Sequence, residues 1–331
     1  MNYSQTKLIE LMKEGKWPGE NITPKHIQTV ISNVFVFENK VYKFYKNDND
    51  FFNKSFRNLS GKDERFLFTE NDFRWNGTLS PSIYLDIKNI TVRNGQIVEV
   101  SREEAEEIIM IMNRVDTSDV LYEKLIGNKI SEEDCFEIGK QFGESMRKIQ
   151  VKLPREYNFY DVFESLIQDQ KDWISSVPEN ISLEESEAYC EYLDNYRQAN
   201  REWFEELSAE VTVDGDFHSH NAIYSNNHFY LMDTYPPKEE WGIGHKLIPL
   251  YRLGTDILGL SGKQEFFEAL VKGYEEGNGI KVNRKFDEFY IIYAASIAMP
   301  YLYMLSRIDP EKKKIAEQFH TFTRDYFAKL K

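Results

Sequence analysis

The sequence predicts an α+β protein in which a small β-rich N-terminal lobe precedes a larger helical C-terminal lobe. Three observations lead to this fold class. Val, Phe and Tyr alternate with turn residues in the first hundred-odd positions, later positions repeat apolar residues at helical spacing, and one β-rich island interrupts the helices at 211–234. We therefore expect an N-terminal lobe over 1–112 and a C-terminal lobe over 113–331 that contains this hairpin.

The N-terminal lobe is expected to begin with a helix over 4–14. The stretch VISNVFVFENKVYKFYK, residues 30–46, predicts a β-hairpin with its turn at 38–40. A mixed charged and aromatic stretch over 60–79 predicts a helix. The strands after it are expected to turn at Asn94–Gly95, a dipeptide that favours tight hairpin turns.

The C-terminal lobe is predicted to be helical on both sides of its hairpin. Helices are expected over 131–148, 160–175 and 183–209, and again from about residue 246 to the C-terminus. Ser131 precedes several acidic residues, which is typical of a helix N-cap.

Composition and charge exclude several classes of protein. The chain has 331 residues, of which 41% are hydrophobic and 15% aromatic, and this argues for a packed core. A formal net charge of -14 disfavours binding to nucleic acid or to an anionic membrane surface, since both require Lys and Arg. The acidic balance suits a cationic small-molecule substrate better.

Targeting signals and cysteine spacing point to a cytoplasmic protein. The N-terminal segment lacks an apolar signal-peptide core, and we expect no membrane span, because no run of about 18 apolar residues occurs. Cys135 and Cys190 are far apart and outside any C-x-x-C pair. Two buried thiols are therefore expected, rather than a disulfide or a zinc site.

The chemistry of the hairpin lies in VDGDFHSHNAIY, residues 213–224. Asp216 and Asn221 stand in a D-x-x-x-x-N spacing, and the two short strands are expected to bring Asn221 beside Asp233. Carboxylate and amide oxygens of this kind suit Mg²⁺, which takes few carboxylates and completes its shell with water and phosphate. Asp216 would remain free to orient a hydroxyl group and accept its proton, as in phosphoryl transfer.

Less specific interpretations apply to the same residues. Asp and Asn are common in loops, so the D-x-x-x-x-N spacing alone is more often structural. His218 and His220 stand near acids and invite a zinc-site hypothesis, although loop packing or a substrate contact explains them better. Lys43 shares a strand face with Val41, and an inward-facing lysine requires a partner, which favours a functional role.

The loop sequence DGDFHSHN followed by LMD resembles the catalytic and metal-binding loops of aminoglycoside phosphotransferase-like kinases. These small-molecule kinases have a protein-kinase-like fold and carry the pattern H-G-D-x-x-x-x-N followed by a later Asp. The segments TVISNVF, VYKFYK, FRWNGTLSPSIYL and MIMNRVDTSDVLYEKLI resemble a bacterial branch of the same family. The resemblance covers residues 25–260 and implies a two-lobed kinase fold.

The resemblance implies roles for individual residues. Asp216 corresponds to the catalytic base, and Asn221 and Asp233 correspond to two Mg²⁺ ligands. Lys43 corresponds to the strand lysine that holds the α- and β-phosphates of ATP. Asp256 corresponds to a helix acid that supports the catalytic loop from outside it.

Two further assignments concern the nucleotide. The acidic partner of Lys43 is either Asp72, which the spacing favours, or Glu70, which is the more typical residue type. The backbone at Met110 and Met112 corresponds to the hinge that hydrogen-bonds adenine.

The sequence departs from the family pattern at two places. Asp214 stands where the family has His, which adds a third carboxylate, and neighbouring like charges raise one another's pKa unless a cation compensates. The glycine-rich phosphate loop is absent, and Ser32–Asn33 occupies its place. Ser32 and nearby backbone N–H groups would then contact the phosphates.

The resemblance implies an ATP- and Mg²⁺-dependent kinase that phosphorylates a hydroxyl group of a small molecule. Asp214 and the missing glycine loop motivate an alternative, a nucleotide-binding pseudokinase that regulates or scaffolds a partner. A third hypothesis is transfer of AMP to a protein by the same residues. The sequence does not indicate the acceptor, the choice between ATP and GTP, or the oligomeric state.

Overall fold

The structure is a computed structural model that describes residues 5–29, 31–55, 57–149, 157–213, 215–236 and 243–330. The chain forms two compact units. The first contains Met1–Asp116 and Met232–Lys238, and the second contains Thr117–Leu231 and Glu239–Lys331. A sheet-rich first unit and a helical second unit confirm the predicted α+β class.

The first unit is built on a six-stranded antiparallel sheet in the order β1-β2-β3-β6-β4-β5. The strands are β1 Lys25–Gln28, β2 Ser32–Val36, β3 Lys40–Tyr45, β4 Tyr84–Arg93, β5 Gln96–Glu99 and β6 Glu107–Asn113. Its helices are α1 Thr6–Lys13, α2 Asp50–Ser55 and α3 Lys62–Leu79.

Both predicted hairpins of this unit are present. β2 and β3 pair on either side of the expected turn, and β4 and β5 turn at Asn94 and Gly95, whose φ angles are 51° and 73°. Positive φ at both central residues is what a tight hairpin turn of the primed type requires. β1 and α2 were not predicted. β1 has only four residues and is largely exposed, so it carries no apolar alternation.

The core of the first unit lies between α1 and the sheet. Leu8, Leu11 and Met12 of α1 pack with buried aromatic residues of the central strands, including Phe35 and Phe44. The amphipathic N-terminal stretch is therefore a helix that covers the sheet, because its apolar stripe has no other surface to bury.

The second unit is mainly helical. Its helices are α4 Leu121–Ile126, α5 Glu132–Lys148, α6 Phe159–Ile174, α7 Leu183–Ala199, α8 Arg201–Leu207, α9 Ile248–Ser261, α10 Gln264–Asn278, α11 Asp287–Ile308 and α12 Lys313–Ala328. Two antiparallel strand pairs accompany them, β7 Val211–Val213 with β10 Ile243–His245 and β8 Ala222–Ser225 with β9 His228–Leu231.

The local signals in this unit were mostly reliable. Ser131 and Asp134 form a reciprocal capping box at the start of α5, as the sequence indicated. The expected helix over 183–209 is instead two helices, because the chain breaks at Asn200 between α7 and α8.

Helix α5 carries the β8–β9 hairpin. The side chain of Gln141 donates to the Asn227 carbonyl at 2.9 Å and accepts from the Phe229 amide at 2.8 Å. On another side α5 packs closely against α10, where a Cβ atom on Gly273 would lie 2.0 Å from the Phe136 carbonyl oxygen. Glycine is therefore required at this helix crossing.

Helix α11 is an internal helix. Within the described residues, the segment 284–307 is the one helix long and apolar enough to cross a membrane, and 67% of its most apolar window is buried inside the protein. Burial of this kind is what a core helix requires. Cys135 and Cys190 are buried free thiols, as predicted, and burial raises the pKa of both, to about 12 and about 11.

Candidate active site

Lys43 is a buried cation at the centre of the sheet in the first unit. It lies in β3 opposite Met110 of β6 and is only 3% exposed. Its Nζ lies 3.7 Å from Asp72 Oδ2 and also contacts Asp233 Oδ1. Burial lowers the pKa of Lys43, but the charges of Asp233 and Asp72 outweigh it and raise the pKa, so the ammonium group stays protonated.

Asp72 is held by two hydrogen-bond donors and one neighbouring cation. Its Oδ2 accepts from the Tyr45 hydroxyl, its Oδ1 accepts from the Asn76 amide, and the Lys43 ammonium lies beside it. Burial raises the pKa of Asp72, and Lys43 together with these hydrogen bonds offsets part of that effect. A buried carboxylate that pairs with a lysine is stable only when hydrogen bonds also compensate for its removal from water.

Glu70 does not contact Lys43 in the structure. Its carboxylate pairs with Arg102 at the surface. Asp72 lies two residues further along α3, a rotation of about 200° around the helix axis, which turns it inward while Glu70 faces outward. Of the two candidates left open by the sequence, the structure places Asp72 beside Lys43.

The chain that follows β9 is anchored to α3 and β4. Asp233 has a left-handed backbone with φ of 56°, and its N–H donates to the Tyr84 hydroxyl at 3.0 Å. The next residue, Thr234, donates through its N–H and its hydroxyl to Asn76 Oδ1, at 3.0 and 2.9 Å. Trp75 Nε1 donates to the Thr234 hydroxyl at 2.9 Å. These contacts hold Asp233 in a backbone conformation that few residues other than Gly, Asn and Asp adopt.

Tyr45, Trp75, Asn76, Tyr84 and Thr234 were not predicted as site residues. Trp75 and Asn76 belong to the FRWN segment, where the sequence does carry a signal. Asp72 lies one helical turn before Trp75 and Asn76, so a helix places all three residues on the same side of α3.

Met110 and Met112 lie inside the sheet. Over this stretch β6 lies between β3 and β4. Its backbone N–H and C=O groups therefore pair with those two strands. The predicted adenine contact at these positions would compete with strand pairing.

Ser32 closes the turn between β1 and β2. Its N–H donates to Thr29 Oγ1 at 2.9 Å, its Oγ lies 2.8 Å from the same atom, and its carbonyl accepts from the Thr29 N–H at 3.0 Å. The predicted phosphate contact of Ser32 remains a prediction, and in the structure its polar groups stabilise the turn.

Asp216, in the second unit, is not the free carboxylate that the sequence suggested. Its Oδ1 accepts from Arg252 Nη2 at 2.7 Å, and its Oδ2 lies 3.4 Å from His218 Nε2. Its side chain is 39% exposed. Burial raises the pKa of Asp216, but His218 and Arg252 together outweigh it and hold the pKa well below its usual range.

The loop that carries Asp216 is held from inside the unit by α9. Asp256 accepts from the Ser219 N–H at 2.8 Å and from the Ser219 hydroxyl at 2.7 Å. Arg252, one helical turn earlier on α9, also donates to the Gly215 carbonyl at 3.0 Å. α9 therefore fixes both ends of the loop, and Asn221 Nδ2 donates to the Asp216 carbonyl at 3.0 Å within it.

Arg252 was missed by the sequence reasoning, although a signal exists. In IPLYRLGTDILGLS almost every residue is buried, so Arg252 and Asp256 are charged residues four positions apart in an apolar helix. Charged residues in such a helix require partners. This requirement singles out Arg252 as well as Asp256, which the family resemblance alone had indicated.

The two histidines of the loop pack against aromatic rings. His220 stacks on Tyr122 with ring centroids 3.8 Å apart, and His218 lies 5.0 Å from Tyr301. Burial, with His218 and Lys312 nearby, lowers the pKa of His220 to about 2, so its imidazole is neutral. Among the described residues no group of three or more His, Cys, Asp or Glu side chains could hold a metal ion, and the zinc hypothesis has no support there.

Along the chain, one predicted Mg²⁺ ligand precedes the β8–β9 hairpin and the other follows it. Asn221 directly precedes β8, and Asp233 lies two residues after β9. Their oxygens have the chemistry that Mg²⁺ prefers, and Mg²⁺ commonly takes only one or two protein carboxylates and completes its shell with water and phosphate oxygens. Asp214 lies outside the described residues.

The chain matches known proteins in structure and not in sequence. No family model matches the chain, and no curated protein matches its sequence. A choline kinase from Streptococcus pneumoniae has a TM-score of 0.54 at 12% identity, covering 98% of this chain and 100% of that one. An aminoglycoside phosphotransferase from Streptomyces rimosus has a TM-score of 0.50 at 13% identity, covering 89% and 98%.

A glucosamine kinase in complex with glucosamine, ADP and inorganic phosphate has a TM-score of 0.51 at 10% identity, covering 93% of this chain and 82% of that one. Identities this low establish the fold and not the substrate. The chain therefore has the protein-kinase-like fold of the aminoglycoside phosphotransferases and choline kinases, as its sequence motifs predicted.

Proposed function

We propose that the protein is an ATP- and Mg²⁺-dependent phosphotransferase that moves the γ-phosphate of ATP to a hydroxyl group of a small molecule. The observation that carries the proposal is Lys43, a buried strand lysine with Asp72 at 3.7 Å, in a chain that has the fold of small-molecule kinases. A buried ammonium group between carboxylates is costly for stability alone, which favours a functional reason for keeping it.

In this proposal Lys43 contacts the phosphates of the nucleotide. Asp72 holds the ammonium group in place, and Tyr45 and Asn76 in turn hold Asp72. ADP in the structure of the glucosamine kinase supports nucleotide binding by this fold. We place the adenine contact after Arg114, whose N–H still donates to the Asn39 carbonyl at 3.0 Å, rather than at Met110 and Met112.

Asp216 orients the acceptor hydroxyl. A bond forms between the acceptor oxygen and the γ-phosphorus, and the bond from that phosphorus to the bridging oxygen breaks. ADP leaves with the electron pair, and the hydroxyl proton passes to the Asp216 carboxylate. Since the pKa of Asp216 is held low, the carboxylate is a weak base whose main contribution is alignment, which suits a loose phosphoryl-transfer transition state.

Asn221 and Asp233 would hold Mg²⁺, which neutralises phosphate charge and orients the γ-phosphate when bound. The proposal requires both residues to act on the same nucleotide as Lys43. Binding of ATP measured by calorimetry with and without Mg²⁺ tests this role. Replacing Asp233 by Asn should abolish the Mg²⁺ dependence of ATP affinity while weak metal-free binding remains.

The activity is tested by ATP turnover against a panel of sugars, amino alcohols and aminoglycosides, with mass spectrometry of the products. A gain of phosphate on the acceptor supports the proposal, whereas a gain of AMP on a protein would support nucleotidyl transfer instead. Asp216→Asn should lose at least about 100-fold in kcat. Asp161→Asn, an exposed acid on α6, is the matched control and should retain wild-type kcat.

A second candidate is a pseudokinase that binds nucleotide and regulates a partner. One observation favours it: Asp216, the proposed base, is already paired with Arg252 and His218. A thermal shift with ATP, combined with absence of turnover across the whole panel and of ATP hydrolysis, would support this candidate over the kinase.

The charge of the acceptor remains a prediction from composition. Both carboxylate oxygens of Asp216 face cationic or imidazole groups, so this residue does not add to the attraction for a cation. Pairs of acceptors that differ in one amino group, such as glucose and glucosamine, test the cationic preference directly through kcat/KM.

A further inference from the structure

Arg252 makes a two-point contact with the loop that carries Asp216. Nη2 donates to the carboxylate at 2.7 Å, and Nη1 donates to the Gly215 carbonyl at 3.0 Å. One guanidinium group therefore fixes both the backbone before Asp216 and the rotation of its side chain. The side chain of Arg252 is 16% exposed and that of Asp216 is 39% exposed, so the guanidinium group is the better-shielded partner of the contact.

The place of Arg252 on α9 makes this contact rigid. Nearly every residue of α9 is buried, and Asp256, one turn further on, holds Ser219 at the other end of the loop. The loop is thus attached to a core helix at two points, and only one of them touches the carboxylate that faces the acceptor.

We propose that Arg252 is a positioning residue that acts through Asp216, holding its carboxylate in the orientation that aligns the acceptor hydroxyl. This inference rests on the proposed phosphotransferase activity. Because Arg252 occupies Oδ1, the hydroxyl approaches through Oδ2, on the side of His218. The guanidinium group also balances the negative charge of Asp216, so the acceptor hydroxyl donates to a paired carboxylate rather than to an isolated one.

Lysine cannot replace this function. A guanidinium group presents two parallel donors at fixed geometry, whereas an ammonium group is a single point charge on a flexible stem. Arg252→Lys keeps the charge and should still lose the simultaneous contacts to Gly215 and Asp216. The expected loss in kcat is about 10-fold for Arg252→Lys and about 100-fold for Arg252→Ala, with the KM for ATP unchanged within about 2-fold.

The matched control is Arg197. It is also a buried arginine of the second unit, donating to the Asp194 carboxylate at 2.8 and 3.0 Å and to the Tyr160 carbonyl at 3.2 Å. Arg197→Ala removes the same kind of contact from helices that do not carry Asp216. It should lower the melting temperature while leaving the kcat of the folded enzyme unchanged.

Chemical rescue separates positioning from general structural support. Guanidinium, added at concentrations too low to unfold the protein, should restore part of the kcat of Arg252→Ala in a saturable way, and should not raise the kcat of Arg197→Ala. Urea, which has a similar shape and no charge, should not restore Arg252→Ala. Absence of rescue together with equal kcat losses in both variants would overturn the proposal.

A double-mutant cycle tests whether Arg252 acts through Asp216. In the Asp216→Asn background, Arg252→Ala should cost less than about 3-fold in kcat, because the group it positions is gone. Full additivity of the two losses would show that Arg252 acts elsewhere and would contradict the proposal.

Hydrogen exchange distinguishes failure of this inference from failure of the proposed function. Amides of residues 215–221 should exchange faster in Arg252→Ala than in wild type or in Arg197→Ala, whether or not the protein has any activity. If the wild-type protein turns over no acceptor while this selective exchange is observed, the phosphotransferase proposal fails and the loop contact stands. Unchanged exchange with wild-type turnover would refute the role of Arg252.

Discussion

Asp72 of the first unit and Asp216 of the second unit are stabilised in opposite ways. Asp72, in the first unit, is 1% exposed and shares a buried cation, Lys43, with Asp233. Asp216, in the second unit, is 39% exposed and has its own arginine. In the first case burial opposes ionisation and raises the pKa, and in the second the neighbouring cations prevail and lower it.

The difference shows that an ion pair can contribute mainly to stability or mainly to the geometry of a side chain. A fully buried pair depends on every partner, because removal of one leaves an uncompensated charge away from water. A half-exposed pair can lose its partner and still be solvated, so its loss is expected to affect geometry more than stability. Substitutions in each group should therefore separate stability from activity.

The largest expected effect is on Lys43. Replacing it by Met leaves Asp72 and Asp233 together without their cation, and should lower the free energy of unfolding by about 3–5 kcal/mol while abolishing turnover. Urea denaturation measures the stability. Lys54→Met is the control, since Lys54 pairs with Asp50 at the surface with its side chain 77% exposed, and should change stability by less than about 0.5 kcal/mol. Equal losses in the free energy of unfolding would show that the buried ion pair of Lys43 is no more important for stability than the exposed pair of Lys54.

The next-largest effect tests whether Asp72 is the acidic partner of Lys43. Asp72→Asn keeps the shape of the side chain, yet removes the charge beside the ammonium group. We expect a loss of about 2–3 kcal/mol in stability and a rise in the KM for ATP. Glu70→Gln touches only the surface pair with Arg102 and should cost less than about 1 kcal/mol. If Glu70→Gln proves the more damaging of the two for ATP binding, the assignment of Asp72 is wrong.

Removal of the Ser219 hydroxyl should have a smaller effect. Ser219→Ala deletes one of the two hydrogen bonds that Asp256 accepts and leaves the backbone one, so we expect a loss of about 1 kcal/mol in stability. Asp256→Asn weakens both hydrogen bonds and should cost more. A thermal melt of the two variants with the wild type tests the order, and a larger loss for Ser219→Ala would contradict it.

The smallest effect concerns the pH dependence of Asp216. Its folded-state pKa lies below the unfolded value of about 4, so its contribution to stability is present above that value and is lost as the pH falls toward the folded pKa. The difference in free energy of unfolding between wild type and Asp216→Asn should shrink as the pH falls below about 4. A difference that stays the same as the pH falls from about 4 to 2 would show that the neighbouring groups do not lower the pKa of this carboxyl.

Local sequence signals predicted most of the secondary structure. The Asn94–Gly95 turn, the Ser131 cap and the strand that carries Lys43 each depend on conformational preferences of a few neighbouring residues, and those preferences persist in the folded chain. Short exposed elements such as β1 gave no periodic signal, and the break at Asn200 has no proline or glycine to mark it.

The sequence by itself determined the α+β class and the order of the motifs, because periodicity and turn chemistry are local properties of the chain. Only the tertiary structure determined which charged side chains contact each other. Asp72 rather than Glu70 faces Lys43 because a helix turns 100° per residue and packs with one side inward. Arg252 reaches Asp216 because α9 packs beneath a loop that lies 36 residues earlier in the chain, and no local pattern specifies a contact over that separation.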